Sequence, residues 1–93
     1  MPTEIKQLDL SDERKTIFRV EGEMFRADAE LLSRLAADRR DATGNRIVID
    51  LADLDLLDSE AAAVLRPLAN RDGFELVGIE IFLQSAVDMA ERL

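Results

Sequence analysis

A run of carboxylates flanking one hydroxyl is the densest polar feature of the sequence. The acids are Asp50, Asp53, Asp55, Asp58 and Glu60. Carboxylate oxygens suit magnesium or calcium, so one hypothesis is a site for such a metal. The spacing argues against it, because leucines interrupt the acids and the glycine of a calcium loop is missing. We favour the alternative that the acids cap and charge the start of a helix while the leucines fill the core.

The hydroxyl belongs to Ser59, which follows Asp58 where a helix is predicted to begin. Either residue can be the N-cap of that helix, a role that contributes about 1 kcal/mol and needs no further function. In the alternative, an exposed hydroxyl at a helix start is phosphorylated and gains about −1.5 to −2 charge units. The helix N-terminus would favour that charge, whereas Asp55, Asp58 and Glu60 would repel it.

Groups that could perform catalysis are scarce. The sequence has no histidine and no cysteine, which removes the commonest general base and the favoured ligands of transition metals. Only Lys6 and Lys15 could serve as lysine bases, and nothing in their spacing places them beside a nucleophile. The four glycines are scattered, so no phosphate-binding loop is present. We therefore predict a protein that is not an enzyme and has no cofactor.

Length and charge limit the classes of partner. The chain of 93 residues fits one domain, residues 1–93, with an ordinary hydrophobic share of 47%. Twenty acidic residues against 12 basic ones give a net charge of −8. Phosphate backbones and anionic lipids repel such a chain, so nucleic acid and membrane are poor partners and a basic protein surface is a better one.

The sequence carries no recognisable targeting segment. The N-terminal residues include Glu4, Lys6 and Asp9 and lack the long apolar run of a signal peptide. No stretch approaches the roughly 20 apolar residues of a membrane span. We expect a cytoplasmic protein with no direct membrane insertion.

Hydrophobic periodicity defines the elements that position the polar run. The pattern predicts strands at residues 4–10, 16–21, 47–51 and 76–79, and helices at residues 27–41, 59–70 and from residue 80 onwards. Gly22 is expected to end the second strand, and Pro67 to kink or end the second helix. In the first helix Leu31, Leu32 and Leu35 are predicted to share the buried face with Ala36.

The order of these elements is β-β-α-β-α-β-α. The third and fourth strands are short apolar runs, which are typical of strands covered on both faces. Helices that link such strands produce parallel pairs with right-handed crossovers. The predicted fold class is therefore α/β, with a mixed, mostly parallel four-stranded sheet and about three helices.

Three segments in this order resemble the STAS domains of bacterial anti-sigma-factor antagonists and of sulfate transporters. Residues 47–51 followed by Leu57-Asp58-Ser59 resemble the family's apolar strand ending in Asp, short loop, and Asp-Ser-Ser/Thr-Gly helix start. Residues 22–29, which contain the motif Phe-x-Ala-x-Ala, are similar to the loop that leads into the first helix of STAS domains. Residues 76–79 are similar to its later strand. The likeness covers about residues 16–93.

The resemblance implies partner switching, in which an unphosphorylated antagonist binds an anti-sigma factor, often itself a serine kinase, and phosphorylation releases it. By position Ser59 would be the phosphoacceptor. Two residues depart from the family pattern: Glu60 replaces the second Ser or Thr, and Ala61 replaces the glycine. Glycine lets a partner's backbone approach closely, so the expected docking surface is bulkier and more negative here.

These inferences predict a STAS-type interaction module acting as an anti-sigma-factor antagonist. The surface predicted to bind the partner consists of Glu23, Phe25, Arg26, Leu57, Asp58, Ser59 and Glu60. Phe25 is its apolar candidate, and the alternative for Phe25 is a place in the core.

Two alternatives concern the partner. The domain could instead be an accessory subunit that holds the ATPase subunit of a membrane transporter for lipids or anions, without phosphorylation. A homodimer could also form through the apolar stripe of the last helix, which contains Phe82, Ala86, Met89 and Leu93.

Overall fold

The computed structural model describes residues 3–71 and 73–78. The described strands are β1 (Glu4–Leu10), β2 (Lys15–Met24), β3 (Arg46–Asp50), β4 (Leu54–Leu57) and β5 (Glu75–Val77). The described helices are α1 (Arg26–Thr43) and α2 (Ser59–Arg71), and one 3-10 turn, Ser11–Glu13, joins β1 to β2. The predicted last helix and Ile79 lie outside the described residues.

The strand β2 organises the sheet, whose main path is β1-β2-β3-β5. β1 runs antiparallel to β2, with Ile5 opposite Val20. β3 runs parallel to the first half of β2, with Ile17 opposite Val48, and β5 runs parallel to β3. The predicted α/β class and mixed, mostly parallel sheet are confirmed.

The fifth strand, β4, was not predicted from the sequence, which indicated a loop between β3 and α2. It pairs in parallel with the end of β2, and the register shifts there: Gly22 lies opposite Leu54, whereas Glu23 lies opposite Leu56. Gly22 has a φ of 89° and stays within β2. The prediction that Gly22 ends the strand is therefore wrong, because this glycine accommodates a bulge.

One hydrophobic core joins both helices to one face of the sheet. Phe18 and Val20 of β2 and Ile49 of β3 are fully or almost fully buried in it, together with Leu32 of α1 and Leu65 of α2. All three central apolar residues of β3 are buried, as predicted. β5 is less covered, since Leu76 is half-buried and Val77 is exposed.

The first helix buries a narrower face than its sequence predicts. Leu32 and Ala36 are fully buried, but Leu31 and Leu35 are 44% and 39% exposed. The buried side of α1 instead includes Ala29, so small residues let the helix approach the sheet closely. The prediction that Leu31 and Leu35 face the core is wrong.

The second helix continues beyond Pro67 to Arg71. Pro67 and Ala63 both lie on the exposed side of α2. Water can therefore solvate the Ala63 carbonyl, which loses its hydrogen-bond donor at proline. Of the two effects expected of Pro67, a kink or the end of the helix, the end is wrong. No helix among the described residues is both long enough and apolar enough to cross a membrane.

Candidate functional site

The start of α2 is held by Asp58. Its carboxylate accepts a hydrogen bond from the Glu60 N–H at 3.1 Å, and its carbonyl accepts one from the Ala62 N–H at 2.9 Å. These bonds make Asp58 the N-cap and Ser59 the first residue of the helix. Of the two candidates from the sequence, Asp58 is the cap.

Ser59 is left exposed by this arrangement. Its hydroxyl has no hydrogen-bond partner among residues 3–71 and 73–78. The role of Ser59 as a phosphoacceptor stays a prediction.

The start of α1 presents Phe25 to solvent. Met24 is fully buried at the end of β2, whereas the next residue, Phe25, is 47% exposed. The Phe25 N–H donates to the Asp28 carboxylate at 3.0 Å, and the Phe25 carbonyl accepts from the Ala29 N–H at 3.0 Å. The backbone of Phe25 thus opens the helix while its side chain stays outside the core. The alternative that Phe25 is a core residue is wrong.

The paired ends of β2 and β4 bring the two helix starts together. Met24 lies opposite Leu57, and the Asp58 N–H donates to the Met24 carbonyl at 2.9 Å. Each helix begins within two residues of this pair. The residues predicted to bind a partner therefore form one surface, which we call the helix-start patch: Glu23, Phe25, Arg26, Leu57, Asp58, Ser59 and Glu60.

The electrostatics of Arg26 link the same two helices. Its guanidinium donates a hydrogen bond to the Glu30 carboxylate at 3.0 Å. This bond and the charge of Glu30, followed by the charge of Glu60 on α2, raise the pKa of Arg26 above its ordinary value. One cation thus interacts electrostatically with carboxylates of both helices, so the helix-start patch includes charges of both signs.

An exposed apolar residue beside this patch, Leu56, was missed in the sequence. It is 45% exposed, whereas Leu54 of the same strand is buried. Strict alternation would place both on one face, but the register shift after Gly22 turns Leu56 to the face that carries Glu23. Because the shift depends on pairing with β2, no local pattern in the sequence reveals it.

The acidic run does not converge on one point. Asp50 accepts a hydrogen bond from the Ala52 N–H at 3.0 Å and lies 3.5 Å from the Arg19 guanidinium. Asp53 also approaches Arg19, at 3.9 Å. Within the described part of the chain, no three carboxylates are grouped to hold a metal ion. The prediction that all the acids cap and charge the start of α2 is wrong, because Asp50 and Asp53 form ion pairs with Arg19 of β2.

Ala61, which replaces the expected glycine, is fully buried. Its methyl group packs in the core with Leu65 and Leu68 of the same helix. The expectation that Ala61 makes the docking surface bulkier is therefore wrong. Glu60, which is exposed, accounts for the change in that surface.

The comparisons with known proteins identify the family. A family model described as "STAS domain" matches residues 6–92. The chain belongs to the STAS domain family. The resemblance seen in the sequence is thus confirmed over nearly the whole chain. No curated protein gives a significant match.

Two solved structures share the STAS fold of this chain. An antisigma-factor antagonist STAS domain from Rhodobacter sphaeroides is 28% identical, with a TM-score of 0.62 over 84% of this chain and 88% of that one. An uncharacterized DUF3478-family protein with a SpoIIAA-like fold from Shewanella loihica PV-4 is 22% identical, with a TM-score of 0.57. That match covers 74% of this chain and 56% of the other, and shows the fold alone.

Proposed function

We propose that this STAS domain is a non-enzymatic interaction module that binds a partner protein through the helix-start patch. The observation that carries the proposal is the 2.9 Å hydrogen bond from the Asp58 N–H to the Met24 carbonyl, because it joins the two helix starts. The patch presents the exposed side chain of Phe25 next to charged residues, and the exposed Leu56 lies beside it, opposite Glu23. An apolar centre with a polar rim is the usual anatomy of a protein-binding surface.

The partner we propose is an anti-sigma factor or a related serine-kinase-like protein in the cytoplasm. Membership of the STAS family supports this assignment, as does the likeness to a solved antisigma-factor antagonist. The charge of the patch is also suitable, since Glu23, Asp58 and Glu60 would complement a basic surface. The net charge of −8 would speed the approach of such a partner.

Phosphorylation of Ser59 is the proposed control of this binding. Its exposed hydroxyl lies at the first position of α2, where free backbone N–H groups favour an anion. A phosphoryl group would add about −1.5 to −2 charges beside the carboxylates of Asp58 and Glu60. A partner surface fitted to the unmodified patch would then meet excess negative charge and added volume, so release is the expected result.

A second candidate is an accessory subunit of a membrane transporter that positions the ATPase subunit without phosphorylation. Glu60 favours this alternative, because it places a permanent exposed charge next to Ser59. A surface that is already negative changes proportionally less when a phosphoryl group is added. The two candidates share the patch and differ in the partner that it binds and in whether Ser59 regulates that binding.

The experiment is an affinity capture from cell extract with the wild-type chain, Ser59→Ala and Ser59→Asp, followed by titration of the captured partner. Under the switching proposal Ser59→Asp loses the anti-sigma factor and Ser59→Ala keeps it. Equal binding of a transporter ATPase by all three proteins would support the second candidate. Equal binding of an anti-sigma factor by all three would contradict regulation through Ser59.

The patch itself is tested with Phe25→Ala against Leu8→Ala. Both side chains are exposed apolar groups, but Leu8 lies on β1, outside the patch. Truncating a central aromatic contact costs about 2 kcal/mol or more, roughly a thirtyfold weaker Kd. Phe25→Ala is expected to show that loss and Leu8→Ala to bind as the wild type. Similar affinities for the two variants would place the partner elsewhere.

A further inference from the structure

A second candidate site lies at the other end of the sheet from the helix-start patch. A cavity of about 580 Å³ opens where β2 and β3 begin and α1 ends. Its lining includes Arg14, Arg40 and Arg46, with Phe74 from the segment before β5. The volume falls within the range of small-molecule sites, about 300–1,000 Å³. The size of the cavity therefore suits a small ligand.

A backbone hydrogen bond and a ring contact hold the segments that carry these arginines. The Arg46 N–H donates to the Arg14 carbonyl at 2.8 Å, which holds the starts of β2 and β3 side by side. The guanidinium carbon of Arg40 lies 5.2 Å from the centre of the Phe74 ring, which is itself buried. Three cationic groups from separate parts of the chain thus reach one cavity on ordered elements.

The positive charge of the cavity is incompletely neutralised. Glu13 is the one acidic residue among its described lining residues, against three arginines. Arg40 pairs with Asp41 at 3.3 Å. Arg14 and Arg46 form no ion pair with a carboxylate in residues 3–71 and 73–78. The lining of the cavity therefore carries an excess of positive charge, although the chain as a whole has a net charge of −8.

We propose that this cavity binds a small anion carrying at least two negative charges on phosphoryl or carboxylate oxygens. Guanidinium groups present paired N–H donors in a planar fork that matches both kinds of oxygen pair. Two negative charges would neutralise Arg14 and Arg46 together. The proposal does not rest on the helix-start patch, since the two surfaces lie at opposite ends of β2.

The test is a titration of the full ¹⁵N-labelled chain with pyrophosphate and, separately, citrate, followed by NMR at constant ionic strength set with chloride. Amide shifts of Asn45, Arg46 and Gly73 are expected to saturate with a Kd below about 1 mM for at least one of the two anions. The tighter anion identifies whether the site prefers phosphoryl or carboxylate oxygens. Shifts that stay linear for both anions would overturn the proposal.

Variants distinguish a specific anion site from a general attraction of anions to positive charge. Arg14→Gln/Arg46→Gln is expected to weaken binding at least tenfold. The matched control, Arg34→Gln/Arg66→Gln, removes the same charge from exposed positions outside the cavity and is expected to bind within twofold of the wild type. Arg14→Gly is a further variant that removes this side chain without straining the backbone, because the φ of Arg14 is 52° and glycine adopts it freely. It is expected to weaken binding as well. Equal losses in the paired variant and its control would contradict the proposal.

Discussion

The Asp58 carboxylate accepts a hydrogen bond from the Glu60 N–H at 3.1 Å, across the intervening Ser59. Capping of α2 therefore depends on the aspartate, and the serine hydroxyl is left without a partner among the described residues. Adjacent residues thus have separable roles, one structural and one exposed to solvent. The stability of the domain can be measured apart from any regulation at Ser59.

Because Asp58 caps the helix and Ser59 does not, substitutions of these two neighbours are predicted to lower the free energy of unfolding by different amounts. Asp58→Ala is expected to lower the free energy of unfolding by about 1 kcal/mol, because the Glu60 N–H loses its acceptor. Ser59→Ala is expected to change it by less than about 0.5 kcal/mol, as for an ordinary surface substitution. Urea unfolding followed by circular dichroism measures both. A larger cost at Ser59 than at Asp58 would reverse the assignment of the cap.

Asp9 is predicted to contribute stability that is lost in acid. Its carboxylate accepts hydrogen bonds from the Thr16 hydroxyl and the Arg39 guanidinium, both at 2.8 Å, and these bonds lower its pKa below the ordinary value. A folded-state pKa below the unfolded value, about 3.9, gives stability that is complete above that value and disappears as the pH falls through the folded-state pKa.

The measurement is a carbon-13 NMR titration of the Asp9 carboxyl group in the folded protein. Arg39→Gln is expected to move the pKa of Asp9 upwards, toward its ordinary value, because one charged donor is removed. Arg66→Gln is the control, since Arg66 makes no contact with Asp9 in the described structure. Equal pKa values for Asp9 in the wild type and Arg39→Gln would contradict the proposed cause.

Adjacent leucines of α1 are predicted to differ in their contribution to stability. Leu32→Ala removes a fully buried side chain and is expected to cost about 2–5 kcal/mol. Leu31→Ala, at a side chain that is 44% exposed, is expected to cost under about 1 kcal/mol. Thermal and urea unfolding of the two variants compare identical chemistry at neighbouring positions. Similar losses of unfolding free energy in the two variants would contradict the difference in burial between these leucines.

Gly78 is predicted to be less replaceable than Gly44, although both have a positive φ. At a φ of 86°, an added Cβ atom would lie 2.6 Å from the Ala52 nitrogen and 2.8 Å from its Cα, and backbone atoms cannot move aside easily. Gly44 has a φ of 72° but open space around an added Cβ atom. Gly44→Ala is therefore expected to cost about 1 kcal/mol from φ alone, and Gly78→Ala more than about 2 kcal/mol. Denaturation of the two variants tests the difference, and equal costs would refute the close approach.

The elements whose positions in the sequence were predicted well are those with a clear local pattern of apolar residues. The apolar run Ile47-Val48-Ile49 indicated β3, and the apolar spacing of residues 27–41 indicated α1. β4 was missed because its four residues become a strand only by pairing with β2 beyond Gly22. The tertiary partner, and not the local pattern, determines such a short strand.

The candidate sites show the same limit. The candidate residues around Asp58 and Ser59 could be predicted from the sequence because they are contiguous and follow a predicted strand. The cavity at the opposite end was not predicted, since Arg14, Arg40 and Arg46 are far apart in the sequence and no local pattern distinguishes them from other surface arginines. Only the packing of α1 beside the starts of β2 and β3 brings them together.

The place of β1 at the edge of the sheet has a consequence for solubility. In the described sheet β1 pairs on one side alone, with β2, and among the described residues no strand pairs with its other side. Glu4, Lys6 and Asp9 distribute charge along this seven-residue strand. Burying these charges between two copies would be costly, so the strand resists the edge-to-edge addition that begins aggregation. The polar character of β1 therefore helps to keep separate copies of the domain apart at high concentration.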